Sequence, residues 1–436
     1  MQTDDSTGGG WDSEAAERGG GSRLPWAIII ALSLGMLVYG IAESYGPVTT
    51  VSNILPQNLA FLAYSLPFIA GGFGALLSGW MADSLGRRNS FVVTAALIVV
   101  GIALYLMYSN PAWSKFPELL VASFVFVGMA AIGLESPVLT MLAEAVPAKW
   151  RGNLLVVVQN FGNLGVALTF IPALIGLSGG TDTLAIAILL LAPLAALVVA
   201  LIAVGESVPW SAVSGKANVD VESAWRSVDG GAKPVEPTAN MWLRLLVLIL
   251  LGIAQDVAFV YITYGVAYAY FSQEVASLVP VVGGFTMVIV GVIFGIFFVE
   301  KIGRRALAVL SFGLQAAFWA ALWAFVASTG STAGLRLLAL MTIQFLPLEL
   351  TWASRAVLEP ELFPTRARGR LISAVRAIVW IASGVITGLL ILYSPPFNVA
   401  ASAVIAVLMA SVAAALVWFF KGFETGGRSL AGHDVL

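Results

Sequence analysis

The chain runs to 436 residues, of which 59% are apolar and only 11% charged, and its mean hydropathy is +0.93. So much hydrocarbon surface has no place inside a water-soluble globule, so the solvent the sequence calls for is lipid. A net charge of −2 with basic residues scattered in pairs excludes a nucleic-acid partner. The absence of Cys and the single His, His433, exclude disulfides, thiolate chemistry and imidazole-held metal or haem, so no cofactor is expected.

Residues 1–24 are Gly-rich and acidic, without the basic start and short apolar core of a secretory signal, and read as a disordered tail. Apolar runs long enough to cross about 30 Å of hydrocarbon at about 1.5 Å per residue are predicted near 25–48, 58–82, 90–109, 118–146, 152–177 and 182–204. A second six are predicted near 241–270, 276–299, 305–328, 334–362, 370–393 and 398–420. The expected architecture is therefore all-α: a first six-helix bundle over 25–204, a second over 241–421, and a short tail over 422–436. Between the bundles, 205–240 carries Ser, Pro, Gly and charges of both signs without periodicity, and reads as a solvated cytoplasmic linker. Of the 22 lysines and arginines, only Lys115 and Arg336 fall on the far side and Arg355 and Arg376 within spans. The positive-inside rule thus places both termini in the cytoplasm of a cell-membrane protein.

One half is written twice. Asp83, Gly86, Arg87 and Arg88, in a loop between two apolar runs, return as Glu300, Gly303, Arg304 and Arg305; the differences 300 − 83, 303 − 86 and 305 − 88 all equal 217. The same shift carries Glu144, Pro147, Arg151 and Gly152 onto Glu361, Pro364, Arg368 and Gly369. A bare topology signal would explain the arginines but not the repeated acid and glycine.

The loop from Gly79 to Arg88, repeated after the eighth span, resembles the signature of the major facilitator superfamily. Glu144-Ala-Val-Pro147 with Arg151, Glu361-Leu-Phe-Pro364 with Arg368, Glu424-Thr-Gly-Gly-Arg428 and, more loosely, Gly205-Glu206-Ser207 resemble motifs of its sugar porter branch. The resemblance implies two six-helix bundles rocking about a central cavity, with a cytoplasmic gate of ion pairs: Asp83 with Arg87 or Arg88, Glu300 with Arg304 or Arg305, and across the halves Glu144 with Arg368 and Glu361 with Arg151. These pairs are expected to be exposed and to contribute about 0–1 kcal/mol each, enough together to latch a state without making it permanent.

Ionisable groups at the bilayer centre cost roughly 2.5–3.5 kcal/mol, so each is a functional candidate. Counting along the spans puts Glu135, Asp256 and Glu349 near mid-depth, Glu43 nearer the outside, and Arg355 and Arg376 toward the cytoplasm, with Glu359 one turn after Arg355 and spaced to pair with it. Glu43 sits where proton-coupled sugar porters keep an acid, but the arginine that such porters place early in the fourth helix is missing from Val121-Ala122-Ser123-Phe124. Glu135, before Ser136-Pro137, is more similar to the acid of proton-phosphate and organic-acid carriers. Glu43, Glu135 and Asp256 are the proton-coupling candidates. For substrate, Gln159 matches the family's fifth-helix glutamine, eight residues after Arg151, and Asn163 continues its face. Gln255 matches the first of a glutamine pair whose second member is here Asp256, and Tyr261 stands near a usual asparagine. Trp352 and Arg355 replace small residues and proline, and Glu349 completes the substrate set.

These features favour a proton symporter for a sugar or polyol, acting as a monomer in the bilayer. The alternatives are an organic-acid or phosphate carrier, which needs an unpaired cation, and a proton-driven exporter of organic cations. Against the exporter, Gln159-Asn-Phe-Gly-Asn-Leu-Gly165 lacks the Gly-Pro signature of drug antiporters. No nucleophile with a base, metal cluster or phosphate loop can be assembled, so an enzyme is not expected.

Overall fold

In the computed structural model, which describes residues 24–51, 54–55, 57–177, 179–332 and 334–434, twelve helices are long and apolar enough to cross a membrane. The first six are Trp26–Thr50, Phe61–Ser84, Arg87–Ser109, Glu118–Ala145, Ala148–Leu174 and Gly180–Ile202. The second six are Met241–Tyr270, Glu274–Phe297, Arg304–Thr329, Leu335–Glu361, Thr365–Tyr393 and Phe397–Lys421. They are called the first to twelfth spans below. In hydrocarbon only a helix or closed barrel satisfies every backbone group internally, so apolar runs of this length fold as helices. The expected tail over 1–24 falls, up to residue 23, outside the described residues.

Burial shows which helices face inward. The most apolar stretches of the first, fourth, seventh and tenth spans are 72, 67, 72 and 61% buried, and those of the third, sixth, ninth and twelfth only 39, 33, 39 and 33%. All the proton-coupling and substrate candidates except Gln159 and Asn163, which lie on the fifth span (67% buried), fall on this inner set, because a helix shielded from lipid can carry them without facing hydrocarbon. The second span packs on the eleventh and the fifth on the eighth, forming two seams between the halves. The seventh span changes to a π-helical turn at Tyr261–Val266, and the tenth is interrupted at Gln344, whose amide donates to the Phe318 carbonyl at 2.9 Å.

The stretch between the bundles is not the structureless linker its composition suggests. It folds into helices Val208–Val213 and Val221–Asp229, each opened by a capping side chain, Ser207 and Asp220. The second helix buries Trp225 and Asp229 against the charged end of the bundles, so its period was present but too short to stand out. The tail past the twelfth span also docks here, with Val235 N–H on the Ser429 carbonyl at 2.8 Å and Ser429 N–H on that of Lys233 at 2.8 Å.

Gly86 turns the chain between the second and third spans at φ 129°, ψ 157°, a conformation open essentially to glycine. A Cβ there would also run into the Glu206 carboxylate. Gly86→Ala is expected to cost about 1–3 kcal/mol, seen as a lower Tm of the detergent-purified protein.

Candidate functional site

Both halves build one lattice at the charged end. Arg87 opens the third span, and its guanidinium binds Asp83 and, at 2.9 Å, Glu144; Ser207 donates to Glu144 at 2.5 Å, and Glu206 accepts from the Arg87 and Arg88 N–H groups at 3.0 and 3.2 Å. In the second half Arg304 binds Glu300 at 3.0 Å and Glu361 at 3.1 Å, Thr425 donates to Glu361 at 2.5 Å, and Glu424 accepts from the Arg304 N–H at 2.8 Å. The repeated acid–arginine loops are thus intra-half braces, and Ser207 and Thr425 explain why each sixth helix is followed by Glu and a hydroxyl residue. Of each arginine pair the first takes the acids; Arg305 donates to the Phe419 carbonyl at 3.1 Å. Burial holds the Glu206 carboxyl above its usual range despite the backbone donors around it.

Other bonds join the halves. Arg368 binds Glu144 at 2.7 Å, Arg87 donates to the Thr365 carbonyl at 2.8 Å, and Glu300 accepts from Gly152 N–H at 2.7 Å. Asp83 accepts from Gly369 and Arg370 N–H at 3.0 and 2.8 Å. Two expectations are corrected here. The pairs are not exposed: Arg87, Glu144 and Arg368 are 0% exposed, so removing one partner costs about 3–5 kcal/mol, not a fraction of one. Nor does Glu361 pair with Arg151. Arg151 turns to Asp229 of the linker helix at 2.5 Å, and the Trp225 ring lies under both Arg151 and Arg368. The linker supplies a closer acid, and Glu361 is already held by Arg304.

The tail completes this end. Asp434 accepts from Trp225 Nε1 at 3.0 Å and from the Thr365 N–H at 2.8 Å. His433 donates from Nε2 to the Glu361 carbonyl at 2.9 Å, and burial pushes its pKa down to about 3, so the docked ring is neutral.

Deeper in the bundles than this lattice runs a second charged chain. Arg355 binds Asp256 at 3.0 Å, Glu359 at 2.8 Å and the Gln255 side-chain oxygen; Arg376 binds Glu359 at 2.6 Å and Glu135. Three acids share two guanidiniums, and the Arg376–Glu135 contact crosses from the eleventh span to the fourth, between halves. Sequence reasoning offered Arg376 as a cation for an organic acid but gave it no partner, because nothing in one dimension says that the fourth and eleventh spans touch.

The other candidates fall into three places. Glu43 is buried against Tyr39, with one carboxylate oxygen unpartnered, and does not meet Glu135. Tyr39 stands edge-on to Trp352, which also meets Phe259. On the fifth span Gln159 is 3% exposed and both its amide atoms lack a partner, whereas Asn163 and the unforeseen Asn160 donate to Glu349 at 2.8 and 2.9 Å. Asn160 was legible as one turn before Asn163 but was passed over beside Gln159. Tyr261 lies apart, stacked on Trp319 and lining with Tyr64, Tyr264 and Tyr268 a cavity of about 390 Å³ at the end remote from the charged lattice.

A family model described as sugar (and other) transporter matches residues 35–436. The probable metabolite transport protein CsbC of Bacillus subtilis is 26% identical over 448 residues, 91% of each chain. The facilitated trehalose transporter Tret1 of Polypedilum vanderplanki is 28% identical over 151 residues, 33% of this chain and 29% of that one. Among solved structures, the proton:xylose symporter XylE of E. coli bound to 6-bromo-6-deoxy-D-glucose superposes with a TM-score of 0.74 at 19% identity, covering 94% of this chain and 98% of that one. With twelve spans in two like bundles and a family model matched along almost its whole length, this chain belongs to the sugar (and other) transporter family.

Proposed function

We propose that the protein imports a neutral sugar or polyol by proton symport, rocking its two bundles about a site at mid-depth. The observation that carries this reading is that one interface holds both the buried lattice at the charged end and the acid–arginine chain above it. Separating the bundles at that end must break Glu144–Arg368 and disturb Glu135–Arg376 together, so access to one side is tied to the state of an acid. The charged end is the cytoplasmic one by the excess of lysine and arginine there, placing both termini and the linker inside the cell.

Asp83, Arg87, Arg88, Glu144, Arg151, Glu300, Arg304, Arg305, Glu361 and Arg368 form the gate, with Arg88 giving its backbone N–H and Arg151 acting through Asp229. Glu135, Asp256 and Glu43 carry the proton. Both guanidiniums at mid-depth hold carboxylates, which disfavours an organic acid or phosphate as cargo. Gln159 offers an unspent amide and Trp352 an aromatic face, groups suited to hydroxyls and the C–H face of a ring; Gln255, Asn163 and Tyr261 border the path.

The test is uptake into proteoliposomes of labelled pentoses, hexoses, polyols, phosphate and carboxylates, with and without an inward proton gradient. Accumulation of a neutral sugar or polyol only with the gradient is expected; binding confined to phosphate or carboxylates overturns the reading. Gln159→Ala, which removes a hydrogen-bonding amide worth about 1–1.5 kcal/mol, is expected to raise KM about tenfold with the Tm unchanged, measured by initial uptake rates and a thermal melt.

A further inference from the structure

Glu349 lies apart from the charged chain just described. It stands twelve residues before Glu361 on the tenth span, about 18 Å along the axis at about 1.5 Å per residue, and is 2% exposed. Its two oxygens accept one bond each from the fifth span, in the other half: Asn160 Nδ2 at 2.9 Å and Asn163 Nδ2 at 2.8 Å. Asn163 Nδ2 also donates to Asn160 Oδ1 at 2.9 Å, fixing the pair as donors toward the acid. Gly291 of the eighth span closes the group; a Cβ there would collide with the Asn160 amide and the Glu349 carboxylate.

No cation faces this acid among the described residues. On the helices packed against the tenth span, Asp256 of the seventh pairs with Arg355, and Glu135 of the fourth with Arg376 of the eleventh. Arg151, Glu300 and Arg304 sit at the charged end of the fifth, eighth and ninth, and on the tenth span itself Arg355 and Glu359 bind each other while Glu361 binds Arg304. Three ligands suit a buried carboxyl: a metal cation, a substrate ammonium or a proton. Two N–H groups aimed at its oxygens repel the first two, and a proton is the ligand that remains compatible with them.

We propose that Glu349 is a further proton-bearing acid, acting as a tie between the bundles. Ionised, it accepts two charge-assisted bonds across the interface and holds the fifth span to the tenth. Protonated, it is a weaker acceptor that needs an acceptor of its own, and the tie slackens. The inference rests on the rocking motion of the proposed function but not on the cargo or on Glu135, and it takes Glu349 out of the substrate contacts.

The chain has no cysteine, so a single one reports the motion directly. Val156 is buried on the fifth span in its seam with the eighth, beside Gly295. In Val156→Cys protein, with His433→Gln added so that the tail imidazole does not titrate, maleimide labelling, normalised at each pH to that of the SDS-unfolded chain so that the falling thiolate fraction cancels, is expected to rise about tenfold between about pH 8 and about pH 5.5, as Glu349 gains its proton. Adding Glu349→Gln is expected to give fast labelling at both pH values. The double variant Asn160→Ala, Asn163→Ala keeps the acid, removes its donors and is expected to label fast throughout; it serves if Glu349→Gln fails to fold. Labelling that does not change with pH, or a dependence that survives Glu349→Gln or the double variant, overturns the proposal. Sugar uptake is not used, so failure of the cargo assignment leaves this result readable.

Discussion

Glu135→Gln is expected to abolish accumulation against a gradient while leaving substrate exchange partly intact. An inward gradient of about one pH unit supplies about 1.4 kcal/mol per proton, enough for up to about tenfold accumulation at one proton per sugar. The variant should bring that ratio to one. Exchange requires only that the loaded carrier rock, and Arg376 keeps Glu359 at 2.6 Å when Glu135 is neutral, so the interior is not left with an unpaired guanidinium. Arg376→Gln is the harsher change: it strips the partner from Glu135 and half of the pairing from Glu359, and about 3–5 kcal/mol of destabilisation is expected from acids left buried without a counter-charge. Counterflow and gradient-driven uptake in one proteoliposome preparation separate the two effects. Equal loss of both with Glu135→Gln would mean that the acid holds the fold or the site and does not couple.

The second large effect is expected at Glu144, and it should not be mirrored at Glu361. Glu144 receives a buried arginine from each half, Arg87 at 2.9 Å and Arg368 at 2.7 Å. Glu144→Gln leaves Arg368 buried without its carboxylate, and the closed state should lose about 3–5 kcal/mol, shifting the closed-to-open ratio at least about a hundredfold. Single-cysteine labelling at position 156 should then be fast and uptake slow, because the charged end no longer reseals. Glu361 is held by Arg304 and Thr425 of its own half, so Glu361→Gln should lower the Tm without opening the interface. Fast labelling in both variants would show that the two acids are equivalent and that the asymmetry created by Asp229 is irrelevant.

That asymmetry marks the limit of what motif reading delivered. The shift of 217 residues, given by 300 − 83, predicted two like lattices, and two like lattices are present within the halves. The family resemblance also implied two like bridges between the halves, of which Glu144–Arg368 is present and Glu361–Arg151 is not. The reason lies in the linker helix at Val221–Asp229, which inserts Trp225 and Asp229 beside Arg151. Duplication tells which groups recur; it does not tell which third element competes for one of them.

The same distinction holds for the site. Gln159, Glu135, Asp256 and Glu349 were legible as costly polar groups in apolar runs, because the penalty of burying them is a property of residue and depth. Their partners were not, apart from Arg355 with Glu359, one turn apart on one helix. Arg376 with Glu135, Arg355 with Asp256, and Glu349 with Asn160 join residues 99 to 241 positions apart, the largest separation being 376 − 135 = 241 and the smallest 355 − 256 = 99. An ion pair exists or not within about 4 Å, and that distance is set by which helices cross and how closely.

By itself, then, the sequence determined the solvent, the twelve helices, the doubled architecture and the list of groups that must be paid for at mid-depth, since hydropathy and periodicity act along the chain. Only the tertiary structure decided which of those charges meet, that the arginine on Glu135 comes from the opposite bundle, and that one acid is held by amides alone. Those are matters of contact between helices distant in the chain, and contact is what folding adds.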